Sequence, residues 1–357
     1  MTTPHPYSDL PDTAFWKSAV AQKAMLDIGP VWRPKFTLRA HHRIVTFGSC
    51  FAQHIGRALE ARGFNWLRTE TAPKGLSDAN RKRFNFGIFS ARTGNIYTTS
   101  LLRQWTEWAL ELTPVPDEVW EKEGRFYDPF RPAIEPNGFA SPDEVRVSRA
   151  RTIEAFRTAI ASARYFVFTL GLTESWHNTA LGHEYPMCPG TVAGTFDASV
   201  HAFENQDFAT IYRNLSLTAD LMRTINPRLR FILTVSPVPL TATASDEHVL
   251  VATTGSKATL RTVAGEIARR RKVFDYFPSY EIITAPPFKG GFFEPNQRDV
   301  TPDGVAFVMD SFFRCLNGAQ GETVQEPVAP TASLPVADKQ GDTVCEEAML
   351  AAFGPAR

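Results

Sequence analysis

The sequence predicts an α/β protein built on a parallel sheet covered on both faces. Short, continuous apolar runs recur along the chain: RIVTF at 43–47, YFVFTL at 165–170 and FILTV at 231–235. Unbroken runs of this kind belong to strands buried on both faces, whereas half-exposed strands alternate. Segments of helical periodicity stand between them, as crossovers between parallel strands require. In such sheets ligands bind beyond the carboxyl ends of the strands. The segments at 48–49, 171–177, 236–248 and 286–299 therefore hold the candidate site.

The first strand ends at Gly48. Phe51, Ile55, Ala58 and Leu59 then repeat at helical spacing, and Gly63 stands where a helix C-cap is expected. Residues 64–67 read as a possible second strand. Residues 113–149, rich in Pro, acidic and aromatic residues, read as a long insertion whose Trp120, Phe126, Tyr127 and Phe130 pack onto the body or form a platform for a sugar or acyl chain. Downstream, helices are expected over 153–163, 208–225, 256–271 and 303–316, with a strand at 281–284. Residues 317–345 contain no aromatic and are dominated by Pro, Ala, Thr, Gln and Glu, which predicts a flexible tail. The expected organisation is an N-terminal extension (1–42), an α/β domain (43–316) and a tail (317–357) that ends in a short helical stretch, EEAMLAAF.

The 357 residues carry 38 basic and 38 acidic side chains. This balance argues against nucleic-acid binding by bulk charge. No window approaches the length of an apolar membrane span, and the N-terminus lacks the pattern of a signal peptide, so a cytoplasmic protein without a membrane partner is expected. The four cysteines (Cys50, Cys188, Cys315, Cys345) are far apart and form no CxxC, so no metal site, disulfide framework or cofactor is expected.

Ser49 stands at the junction of strand and helix, in TFGSCFAQHIG. A hydroxyl there lies at the carboxyl edge of the sheet, beside backbone N–H groups able to stabilise an oxyanion. The plainer use of such a serine is as an N-cap. Cys50 is a competing nucleophile, more often a packed residue. Ser256–Lys257 lacks the Ser-x-x-Lys spacing of a catalytic pair and reads as a helix start.

Gly48-Ser49-Cys50-Phe51-Ala52 resembles the motif of the GSCFA domain family, itself similar to the SGNH or GDSL hydrolases. RTGNIYT (92–98), FTLGLTESW (168–176), SPVPL (236–240), SKATLR (256–261) and YFPSYEI (276–282) extend the resemblance over residues 43–313. It implies a three-layer sandwich around a flavodoxin-like sheet, with Ser49 as nucleophile. Gly94 and Asn95 would fall at the oxyanion hole, and Gly171-Leu172-Thr173-Glu174 at the third block. There Thr173 stands where the superfamily has Asn, with Asn95 as the compensating donor. The implied activity is esterase or acyltransferase chemistry on O-acyl, chiefly acetyl, groups of a carbohydrate or related small-molecule ester. The final Asp-x-x-His is replaced by Asn296 and Asp299 before Gly304, and no histidine follows His248.

The base must therefore come from elsewhere, because a serine is a weak nucleophile without one. His41 and His42 precede the first strand, and His54 lies within the helix. His248 ranks first, on a loop that returns over the carboxyl edge. Asp299 ranks second, as a carboxylate in the vacated position, and His177 third, beside Glu174. The alternative is a non-catalytic binding protein on a degenerate hydrolase scaffold.

Overall fold

The computed structural model describes residues 5–319 and 343–354. In chain order the elements are β1 (Ile44–Gly48), α1 (Phe51–Ala61), α2 (Asp78–Arg83), α3 (Thr99–Ala109), β2 (Trp120–Lys122), β3 (Arg125–Tyr127) and α4 (Pro142–Ser162). There follow β4 (Tyr165–Leu170), β5 (Glu174–Asn178), β6 (His183–Tyr185), β7 (His201–Asn205), α5 (Phe208–Ile225) and β8 (Arg230–Val235). The chain continues with α6 (Val249–Arg270), β9 (Phe274–Tyr276), α7 (Ser279–Thr284) and α8 (Pro302–Ala319).

The central sheet is parallel and four-stranded, in the order β1-β4-β8-β9. Every residue of β1 and β4 is buried, as their apolar runs predict. The expected strand at 64–67 shrinks to one parallel bridge, Ile44 to Trp66. Beyond that bridge, side chains and loops take the open edge of β1. Ser90 Oγ accepts from Thr46 N at 3.0 Å, and Ile96 N donates to Gly48 O at 2.9 Å.

A second sheet, antiparallel in the order β6-β5-β7, was not foreseen. On β6 lies Glu184, buried among the hydroxyl of Thr98, Ser100 and Gln104. Burial pushes its carboxyl up to about 7, against the hydrogen bonds from Ser100 and Thr98 that hold it down. Its folded value thus exceeds the unfolded 4.5. The stability it contributes is complete below 4.5 and is lost as pH rises through about 7. Glu184→Gln is expected to flatten the fall in melting temperature across that window. A pH profile parallel to that of the native chain would refute this.

The insertion is built into the body. β2 and β3 form a hairpin, and its residues from Pro142 onward already belong to α4. Ser141 caps α4 by accepting from Glu144 N at 3.2 Å, with Pro142 at the first position, a start signal eleven residues before the expected one at 153. Trp120 and Phe130 are buried, so packing is their role. Asp128 is fully buried between Arg131 Nε (2.7 Å) and Arg149 Nε (3.1 Å). Burial alone would raise its pKa, but the two guanidinium groups outweigh burial and hold it below the usual range.

Contacts divide the chain into two units, one of residues 39–276 with the C-terminal segment, the other of residues up to Leu38 with those from Phe277. The N-terminal residues therefore have a packing role: Trp32 stacks on Phe312 at 5.1 Å and meets Phe277 edge-on at 5.2 Å. Residues 281–284 are helical, in α7, rather than a strand. At the C-terminus, α8 runs on to Ala319, three residues past the predicted end. The short helix read in EEAMLAAF is a 3₁₀ helix (Glu346–Phe353), with Glu346 and Glu347 buried. The rest of the predicted tail, 320–342, lies outside the described residues. Among the described residues no helix is long and apolar enough to cross a membrane.

Candidate functional site

β1 delivers the chain to Gly48 at φ 121° and then to Ser49, followed by Cys50 as the N-cap of α1. A Cβ on Gly48 would lie 2.2 Å from Thr169 O on β4, so the strand end passes its neighbour too closely for any side chain. Ser49 is buried, and its Oγ has no hydrogen-bond partner among the described residues. It does not cap α1 with its side chain. Its backbone N–H, expected to face an oxyanion, instead donates to Thr169 O at 3.0 Å and extends the β1–β4 ladder.

Around Ser49 the structure gathers groups from three sequence blocks. At Gly171 a built Cβ would lie 3.0 Å from Ser49 Cβ and 3.1 Å from Tyr97 Cδ1, so this residue is wedged between the two side chains. The segment containing Gly94 and Asn95 is tied to the end of β1 through Ile96. Asn95 is buried. Its Oδ1 accepts from Gln53 Nε2 at 3.1 Å, and its Nδ2 donates to Tyr97 Oη at 3.2 Å. Burial first, and then the charge of Glu346, raise the pKa of the Tyr97 phenol, which keeps its proton.

The acceptor for these donors comes from the C-terminal segment. Glu346 accepts from Asn95 Nδ2, from Tyr97 Oη at 2.9 Å and from Asn95 N at 3.5 Å. Gly94, at φ 67°, approaches the same carboxylate, 3.1 Å from a built Cβ to Oε1. Gly94 and Asn95 lie on the segment joined to the end of β1 through Ile96 N and Gly48 O. Gln53, Tyr97 and Glu346 were missed. Gln53 could have been found, since it follows Ser49 by four residues in the same motif.

Other predicted residues have different places. Thr173 Oγ1 donates to Asn205 Oδ1 at 2.7 Å, and its N–H donates to Ser256 Oγ at 3.3 Å. Its hydroxyl therefore serves the junction with β7. Glu174, raised in pKa by burial against the bonds from Thr243 and Ala244, anchors the 241–247 loop through Thr243 Oγ1 (2.5 Å). His177 Nε2 contacts Ser175 Oγ at 2.8 Å and Glu204 at 3.2 Å, and burial lowers its pKa although Glu204 opposes this.

His248 is exposed and is the N-cap of α6, accepting from Leu250 N at 3.2 Å through Nδ1. That helix begins seven residues before the predicted start, so Ser256 and Lys257 lie inside it. Lys257 is buried and donates to Gly171 O at 2.7 Å, pinning the end of β4 beside Ser49. Asp299 belongs to the unit containing Phe277 and α8, where it accepts from Asn296 Nδ2 at 2.8 Å in a tight loop. His54 lies one turn into α1. Burial and the Arg57 guanidinium push it down to about 3, so it is neutral near pH 7 and accepts from Arg57 Nη2 at 3.1 Å.

Fold and site define an α/β protein with a buried serine at a strand-to-helix turn, beside a cluster of neutral hydrogen-bond donors. The chain belongs to the GSCFA family, whose model matches residues 43–312. No curated protein and no solved structure matches it.

Proposed function

We propose that this chain carries out acyl-ester chemistry at Ser49, as an esterase or acyltransferase acting on an O-acylated carbohydrate or related small ester. The observation that carries the reading is the Ser49 hydroxyl, buried and unpartnered among the described residues, next to donors that already hold a carboxylate. Groups that bind a carboxylate can also stabilise the oxyanion of a tetrahedral intermediate. The sheet order adds support. With the Trp66 bridge outside β1, the succession is that of a doubly wound flavodoxin-like sheet, the scaffold expected of an SGNH-type hydrolase.

In this reading Ser49 Oγ attacks the acyl carbonyl and gives up its proton, the ester C–O bond breaks, and the alcohol leaves with a proton. Water or a sugar hydroxyl then takes the acyl group from Ser49. Asn95 and Tyr97 hold the oxyanion. His248 remains the proposed proton acceptor, through Nε2, with His177 as its alternate.

A fluorophosphonate probe is expected to label the chain at Ser49, with all label lost in Ser49→Ala. A second reading, a ligand-binding protein on a hydrolase scaffold, is favoured by one observation: no described histidine is hydrogen-bonded to Ser49. Absence of label from both the native chain and a variant with a loosened C-terminal segment would sink the enzyme and leave the binding protein.

A further inference from the structure

The C-terminal segment is held on Gln53, Asn95 and Tyr97, whose ring flanks Gly171 opposite Ser49, by recognition of its main chain and its acids together. The Gln53 side-chain amide pairs with both polar groups of one residue, accepting from Val344 N at 3.0 Å and donating to Val344 O at 2.7 Å. Asn95 Nδ2 reaches the same carbonyl at 2.8 Å. Thr343 Oγ1 lies 3.3 Å from Arg57 Nη2 and 3.4 Å from His54 Nε2. Two residues after Val344, Glu346 takes the Asn95 and Tyr97 donors, and Glu347 Oε1 accepts from Thr241 N at 2.6 Å.

The burial is inverted relative to a hydrophobic anchor. Glu346 and Glu347 are 3% and 5% exposed, whereas Met349 and Phe353 in the same helix are 43% and 65% exposed. Acidic side chains are seldom buried unless their partners are built for them. This segment is therefore seated by its carboxylates and main chain, and the donors to Glu346, which are Asn95 and Tyr97, are neutral. A carboxylate is also the product of ester cleavage, so Glu346 has the charge and shape of a species such a site must release. Ser49 does not line the open depression between Glu70, Arg92, Arg125 and Arg151.

We propose that residues 343–347 are a built-in, product-like occupant of the Ser49 cleft, and that an external ligand enters only when this segment leaves. The role given to Ser49 here rests on the acyl-ester reading. Occupation of the cleft does not, and the experiment separates the two.

The test uses the full chain carrying Glu346→Ala and Glu347→Ala, and a fluorescent synthetic peptide of residues 341–350. The double variant is expected to bind the peptide, with the native chain binding it at least about tenfold more weakly, because the native cleft is filled. Fluorophosphonate labelling of Ser49 should be about tenfold faster in the double variant, and unlabelled peptide should slow it again. Glu346→Gln keeps the shape and loses the charge, and should fall between the two. Circular dichroism and melting verify that each variant is folded. A folded double variant that binds no peptide, with labelling as slow as in the native chain, overturns the proposal. Selective peptide binding without any labelling supports the occupant and overturns the acyl-ester reading instead.

Discussion

Gly48→Ala is expected to destabilise the protein by about 4–5 kcal/mol or more, the range reserved for a forced steric conflict in a core. Gly48 sits at φ 121°, outside the range L side chains ordinarily adopt. An added Cβ would lie 2.2 Å from Thr169 O, 2.6 Å from its N and 2.8 Å from its carbonyl carbon. These are backbone atoms of a fully buried strand, so no side-chain rotation relieves the clash. To make room, β1 would have to part from β4 where Ser49 N donates to Thr169 O. Chemical denaturation measures the loss, and a midpoint close to that of the native chain would show that the strand end can shift. Ser49→Ala removes one oxygen from the same turn and should leave stability nearly unchanged. The pair thus separates damage to the fold from damage to the chemistry.

Asp128→Ala is expected to cost about 3–5 kcal/mol, because it leaves two buried guanidinium groups without their shared carboxylate. Asp128 and Arg131 have fully buried side chains and that of Arg149 is 2% exposed, so water cannot replace the lost partner. Arg149 also donates to Glu118 O at 2.6 Å and lies over the Phe130 ring at 4.9 Å. The network thereby ties the segment before α4 to that helix. The pKa of Asp128 is depressed, so the stability it gives is present above its unfolded value of 3.8 and is lost as pH falls through the lower folded value. Replacing all three charged residues with apolar ones of similar volume should recover most of the loss. A triple variant as unstable as Asp128→Ala would place the cost in packing rather than in unpaired charge.

The sequence by itself determined the parallel sheet and the turn that carries Ser49. Runs such as YFVFTL, six residues long and rich in aromatic and β-branched side chains, read as strands buried on both faces, and a glycine followed by helical periodicity marks the turn. The resemblance also pointed to Gly94 and Asn95, on the segment that Ile96 joins to the end of β1. The β5–β6–β7 sheet escaped because its strands are short and carry His, Glu and Asn, so no period of two stands out. The capping role of His248 escaped for a similar reason. A histidine before a helix looks the same whether it faces a cleft or caps the helix, and the free N–H groups of the first turn decided the place of His248. Tertiary structure alone decided that Met349 and Phe353 are exposed while Glu346 and Glu347 in the same helix are buried. Their partners Asn95, Tyr97 and Thr241 lie more than a hundred residues away, where no local pattern can register them.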